Sequence, residues 1–403
     1  MRILFLQKRL LFPANSGGKI RTLNVLKHLA QRHKITYLCN VQQNELPYLG
    51  QMEALGLHMQ TVPWSESPRR SFRFACQAIR NLLSSTFPLN VDKDFDAKLR
   101  ARALQLVSEQ NFDLLVCDFV QMARNCLGID IPKLLFQHNV ESEIFVRIAQ
   151  RSSGIFRNYL SSQARRMSKF EGRAGKDFDT IVAVSERDQH HFQSEYGWNN
   201  VDIIDTAVDL EYFRPRQSSP RNGIVFVGSM DWMPNIDGVT HFLENVWPHL
   251  KRALPDTTFT IVGRNPTDLI RGHNGRNGVS VTGTVDDVRP YLESAAVSIV
   301  PLYSGGGTRL KILESMAMCC PVVSTTLGAE GLSIRDNEHL LIRDSDEHLH
   351  LALLQLLQDR PQQEQLAQTA FQLVSSRFGA ENIAAQFESS CEQAVSIWKK
   401  NRG

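Results

Sequence analysis

Through the first half of the chain, short apolar runs alternate with longer stretches in which apolar residues recur every three or four positions. The runs Ile3 to Leu6, Ile35 to Cys39, Leu114 to Cys117, Lys133 to Phe136, Thr180 to Val184 and Val201 to Ile204 predict strands. Between the first two, Leu23, Leu26, Leu29 and Ala30 make a stripe at helical spacing. Strand alternating with helix predicts βαβ units around a parallel sheet. The rhythm stops in the polar, proline-bearing stretch from Phe213 to Asn222, which suits a linker. It restarts with Ile224 to Val227, Phe259 to Val262, Val279 to Val281, Val297 to Val300 and Val322 to Ser324. The expected organisation is an α/β chain with a first domain over 1–213, a linker over 214–222 and a second domain over 223–379. A final helix over 380–403 carries Ile383, Ala384, Phe387, Cys391, Ala394, Val395 and Trp398 on one side and is expected to pack back on the first domain.

Length supports two domains, since 403 residues exceed the usual single core. No stretch approaches the roughly 20 uncharged apolar residues of a membrane span. Lys8 and Arg9 interrupt the apolar N-terminus, which therefore reads as a strand and not a signal peptide. The seven cysteines include no C-x-x-C and several lie in apolar runs, so reduced thiols and a cytoplasmic location are expected. A net charge of +3 is too small to imply nucleic acid as a partner.

Ligands of open parallel sheets bind at the C-terminal ends of the strands. After the first strand, Gly17 and Gly18 open a helix whose amides and dipole suit a phosphate or a sugar hydroxyl. Neither G-x-G-x-x-G nor the Walker lysine pattern is present, which weighs against an oxidoreductase or a nucleoside triphosphatase. The richest segment runs from Pro301 to Ala317. There Gly305, Gly306, Gly307 and Thr308 lead into a helix bearing Arg309, Lys311 and Glu314. Glycines let a diphosphate approach the backbone, the cations add charge at the helix start, and Glu314 is placed to accept ribose hydrogen bonds. His138 follows a strand of the first domain, with Glu141 and Glu143 as further carboxylates nearby.

Four segments together resemble the family 4 glycosyltransferases: Gly17-Gly18, Val208 to Phe213, Phe226 to Met230 and Arg309 to Ala317. The stretch from Gly228 to Asn235 is similar to bacterial exopolysaccharide sugar transferases. The resemblance implies the GT-B fold, two Rossmann-like doubly wound domains facing across a cleft. It also implies retention of anomeric configuration, a nucleotide-diphosphate sugar as co-substrate, no other cofactor and no metal. It assigns His138 to the donor sugar, as the catalytic position; Ser229 and Arg264 are further candidate donor-site residues alongside the glycine loop. Two positions depart from the family pattern. Gly306 replaces the first glutamate of the E-x7-E pair, and Ser229, Met230 and Asn235 occupy a stretch where relatives place diphosphate-binding cations. Arg309 and Lys311 are expected to supply that charge.

Other patterns carry less. Asp92 and Asp94 have D-x-D spacing but no buried strand leads into them, and the adjacent His190 and His191 lack a third metal ligand. A basic segment over 147–176 (Arg147, Arg151, Arg157, Arg165, Arg166, Lys169, Arg173, Lys176) is interleaved with apolar residues, and Arg69, Arg70 and Arg73 extend it. It suits an anionic membrane surface carrying a lipid-linked acceptor, or a solvated face. A nucleotide-sugar epimerase and a noncatalytic sugar-nucleotide-binding regulator of polysaccharide assembly remain the alternatives to a transferase.

Overall fold

The computed structural model describes residues 1–14, 16–66, 71–150, 152–215, 221–305 and 309–402. The chain forms two compact units, Met1–Ile204 with Ile383–Gly403, and Asp205–Asn382.

The first unit is built on seven parallel strands: Arg2–Gln7 (β1), Lys34–Val41 (β2), His58–Pro63 (β3), Leu114–Asp118 (β4), Lys133–Phe136 (β5), Thr180–Ala183 (β6) and Val201–Ile203 (β7), in the order β3-β2-β1-β4-β5-β6-β7. β4, β5 and β6 are buried along their whole length, because crossover helices cover both faces of a parallel sheet. The expected runs therefore coincide with these strands to within two residues. β3 has no counterpart among them. It is an edge strand with only Val62 buried, so it leaves no apolar run to read.

The second unit holds Ile224–Val227 (β8), Phe259–Val262 (β9), Val279–Gly283 (β10), Val297–Val300 (β11), Val322–Ser324 (β12) and Leu341–Ile342 (β13), all parallel in the order β10-β9-β8-β11-β12-β13. The missed strand, β13, again lies at an edge and is two residues long. In each unit the strand order reverses direction beside the first strand, between β1 and β4 and between β8 and β11. That switch point opens a crevice at the C-terminal strand ends.

The units divide earlier than the expected boundary after residue 213. Val208 pairs with the chain at Gly379, and Val208, Leu210 and Phe213 pack in the core of the second unit. The polar stretch that reads as a linker follows the crossing instead of marking it. At the other end, the Ala380–Lys400 helix begins in the second unit, while Ile383 onward belongs to the first. Its Phe387 ring lies 4.9 Å from Phe136, Glu388 bonds His33 at 2.6 Å, and Ser390 donates to Asp202 at 2.6 Å.

Candidate functional site

In the second unit the site starts at the end of β8. Phe226 and Val227 lead into Gly228, and the Met233–Asn245 helix follows with Asn235 buried in its first turn. A β-carbon at Gly228 would lie 2.8 Å from Asn235 Nδ2 and 3.0 Å from Lys311 Nζ. On β9 next door, one at Gly263 would lie 1.8 Å from the Gly228 carbonyl oxygen, so both turns require glycine. Asn235 Nδ2 donates to the Ser229 carbonyl at 2.8 Å, while its Oδ1 accepts from Lys311 Nζ at 2.6 Å. The ammonium also stands 4.7 Å from the Phe226 ring centroid and 5.9 Å from that of Trp232.

Lys311 sits on the Leu310–Ala317 helix, which buries Ile312, Leu313, Met316 and Ala317. Ser315 in the same helix donates to Ser298 of β11 at 2.9 Å, fixing the helix on its strand. Burial pulls the Lys311 ammonium down to about 7, with nearby Arg309 adding to the effect and Glu314 opposing it. Glu314, one turn on, is pushed up to about 7 by burial, with Lys311 opposing. A cation and a carboxyl, both partly exposed and each shifted toward neutral pH, share one helix face.

The other expected donor residues are held differently. Gly305 passes the Trp232–Pro234 segment so closely that a β-carbon would lie 2.6 Å from Pro234 Cγ, and its φ of +90° favours glycine. Gly306, Gly307 and Thr308 lie outside the described residues. Arg309 is 3% exposed, donates to the Leu327 carbonyl at 2.6 Å and stands 3.6 Å from Glu330. A buried guanidinium needs such acceptors, and these two hold Arg309 against the loop around Leu327 and Glu330. Arg264 Nε donates to Ser229 Oγ at 2.9 Å and lies 3.5 Å from Asp231. The Ser229 hydroxyl, with Asn265 and Arg264, holds the Asp231 carboxyl below its ordinary range.

In the first unit, His138 follows β5 and is 2% exposed. Its Nδ1 accepts from Arg21 at 3.1 Å. A guanidinium can only donate, so the ring proton is on Nε2, which bonds Asp118 Oδ1 at 2.6 Å. The second Asp118 oxygen accepts from Thr22 and from Gln7, both at 2.8 Å. Burial lowers the His138 pKa against the pull of Asp118, which keeps the imidazole neutral. Phe119, at φ 72°, stacks on His138 with centroids 4.1 Å apart and presses its Cζ where a β-carbon of Gly18 would be, 2.7 Å away. Gly17 and Gly18 begin the Gly17–Leu29 helix, and one turn on Thr22 ties that helix start to the end of β4 and Arg21 ties it to His138 past β5, while Gln7 brings in the end of β1 through Asp118. Sequence reasoning did not find Asp118, Arg21, Thr22 or Asn235. Asp118 alone left a signal, a carboxylate ending an apolar run.

Glu141 is buried at the start of the Glu141–Gln150 helix, and burial beside Glu171 raises its carboxyl to about 7. Glu171 accepts from the backbone N–H groups of Glu141 and Ser142 at 2.9 and 3.0 Å, so it is a structural cap. Glu143 pairs with Arg147 at 2.7 Å. Asp92 bonds Arg124 at 2.6 Å and Asp94 bonds Lys8 at 2.7 Å. Among the described residues no group of three or more His, Cys, Asp or Glu is placed to hold a metal, and no helix is long and apolar enough to cross a membrane.

Residues 221–359 match the family model for Glycosyl transferases group 1, and residues 15–212 match that for Glycosyltransferase Family 4. Over 395 residues the chain is 20% identical to a Klebsiella pneumoniae protein described as an uncharacterized 44.6 kDa protein in the cps region, covering 92% of this chain and 95% of that one. In fold it is similar to sucrose-phosphate synthase of Thermosynechococcus elongatus, with a TM-score of 0.68 at 15% identity over 98% of this chain and 99% of the other. It is also similar to HepE of Anabaena, solved in complex with UDP, with a TM-score of 0.68 at 14% identity over 97% and 100%. Two parallel doubly wound units, each matched by its own transferase model, make this chain a glycosyltransferase of family 4, with the GT-B fold.

Proposed function

We propose that the chain moves a glycosyl group from a nucleoside diphosphate sugar to an acceptor hydroxyl, retaining the anomeric configuration, in the assembly of a cell-surface polysaccharide on the cytoplasmic side of the membrane. The observation that carries the reading is Lys311, held by Asn235 against the Gly228 turn at the end of β8, with Glu314 one helical turn beyond. The UDP bound to the HepE structure and the cps-region relative support the donor class and the pathway.

In this reading the bond from the anomeric carbon to the diphosphate oxygen breaks and the acceptor oxygen bonds to that carbon on the same face. The acceptor proton passes to the departing phosphate oxygen. Lys311 offsets the charge that develops on the diphosphate, Gly228 lets it approach the backbone, and Glu314 accepts from the ribose hydroxyls. Ser229 and Arg264 border this turn from the β9 side. His138, enclosed and neutral, acts as a positioning residue that holds Gly17 and Gly18 in place for the sugar. Protein charge takes the part that a divalent metal plays in other transferases.

The test is product formation from a panel of nucleotide sugars, with excess chelator present and NMR of the first-formed anomer. Transfer with retention in chelator is the expected result. An inverted product, or activity restored only by Mn²⁺, overturns the mechanism, and nucleotide binding without transfer or hydrolysis points to the noncatalytic regulator.

A further inference from the structure

The Phe72–Ser84 helix of the first unit exposes most of its large apolar side chains. Its apolar stripe, Phe72, Cys76, Ile79 and Leu83 at helical spacing, faces solvent, with Phe72 85% and Leu83 79% exposed. The buried side is polar: Asn81 donates to the Phe87 carbonyl at 3.0 Å and to Asp92 at 2.6 Å, and accepts from Gln163 at 3.2 Å. Arg166, on the neighbouring Gly154–Ala174 helix, donates to the carbonyls of Asn81 and Leu82 at 3.1 Å, closing the last turn. These bonds fix the orientation, so the outward stripe is a built feature. Phe74, Gln77 and Ala78 are only partly buried, and a surface helix that presents its larger apolar side chains to water lacks the usual packing reason to do so.

Charge adjoins the stripe. Arg165, Lys169 and Arg173 stand at i, i+4 and i+8 on the Gly154–Ala174 helix, all exposed, and none has an ion-pair partner among the described residues. Like charges at that spacing repel weakly, and an external anion relieves the repulsion. The three cations and Arg166 line a cavity of about 770 Å³ together with Ser85 and Phe87, just past the end of the inverted helix. The cation row thus adjoins the end of the helix that carries the apolar stripe, joined to it by the Arg166 bonds to the Asn81 and Leu82 carbonyls.

We propose that this surface docks on an anionic bilayer. The 72–84 helix lies among the headgroups with Phe72, Ile79 and Leu83 toward the acyl chains, and Arg165, Lys169 and Arg173 pair with lipid phosphates. An interfacial helix of this kind combines apolar burial with attraction of basic side chains to anionic lipid. The proposal goes beyond the transferase reading, because it rests on this surface and not on the donor site.

Flotation of the full chain with vesicles of phosphatidylcholine, alone or mixed with phosphatidylglycerol, tests it. The chain is expected to float with the mixed vesicles and to be released by salt. A variant carrying Arg165→Gln, Lys169→Gln and Arg173→Gln loses about fivefold in affinity for each cation removed. A variant carrying Ile79→Ser and Leu83→Ser loses about tenfold or more while its remaining binding stays salt-sensitive. Both positions of the second variant are exposed, so UDP affinity by calorimetry without vesicles stays at the wild-type value in both. Equal flotation with the two vesicle types, no flotation at low salt, or wild-type flotation of either variant overturns the proposal. So does a wild-type dimer that the Ile79/Leu83 variant dissociates, which assigns the stripe to a second copy of the chain. Failure of every form to bind UDP sinks the donor site and leaves the surface standing.

Discussion

Lys311 is where the chemistry of the site is most exposed to test. Its ammonium is drawn down to about 7, so part of it is neutral at neutral pH, and an arriving diphosphate restores the charge. UDP binding is therefore expected to take up a proton near neutrality, visible as a calorimetric heat that varies with the buffer's ionisation enthalpy. Affinity falls by up to about tenfold per pH unit from about pH 7.5 to 9. Lys311→Met abolishes this dependence and weakens UDP binding by roughly 10- to 100-fold, since a charge-assisted hydrogen bond is worth ~1.5–3 kcal/mol. Unchanged affinity and no proton uptake in the wild type would remove Lys311 from the diphosphate. Glu314 has the opposite sign. Its folded pKa of about 7 lies above its ordinary 4.5, so the folded state loses stability as pH rises between those values. Glu314→Gln is expected to stabilise the ligand-free protein at pH 8 by roughly 1–3 kcal/mol, to change little at pH 4, and to weaken binding of the nucleoside portion. Urea denaturation at the two pH values checks the first half, and a variant no more stable at pH 8 than the wild type contradicts it.

At the scale of elements, the buried network around His138 joins one helix start to three strand ends. Gly18→Ala sets a methyl group against Phe119, whose ring is already stacked on His138 and cannot retreat freely. The expected cost is roughly 1–3 kcal/mol, with turnover falling more than UDP affinity. Asp118→Asn keeps the shape but gives the Nε2–H donor of His138 a poorer acceptor to bond, and it weakens the bonds from Thr22 and Gln7. It should lower the melting temperature and turnover together, and a variant with lower stability but full turnover would make the network purely structural. Arg309→Ala is expected to act on stability too, because its guanidinium holds the Leu327 carbonyl. Sequence showed which strands end near these residues but not the bonds between them, since Arg21 and His138 stand 117 positions apart.

For the molecule as a whole, a ligand that binds only the folded state stabilises it by mass action. UDP at about 100 times its dissociation constant should add ~2.7 kcal/mol and raise the melting temperature. A mixture of UDP and chelator should do the same, because the proposed diphosphate charges are met by Lys311 and backbone amides. Loss of the shift in chelator would show that a metal carries the nucleotide.

The alternation of apolar runs and helical stripes was enough to determine two parallel doubly wound units, because a strand buried on both faces must be apolar throughout and a crossover helix must show one apolar face. It also put His138, Gly18, Lys311 and Glu314 in the segments that follow strands. Tertiary structure decided the rest. Edge strands β3 and β13 bury too little to leave a pattern, and the unit boundary follows the packing of Val208 and Phe213, which their polar surroundings in sequence conceal. Of two cations two residues apart, Arg309 donates to the Leu327 carbonyl and Lys311 to Asn235 beside Gly228, partners that lie 18 and 76 positions away in sequence. The same holds for the Phe72–Ser84 helix: its amphipathic pattern is plain in sequence, but only the bonds to Asn81 decide that its apolar side faces out.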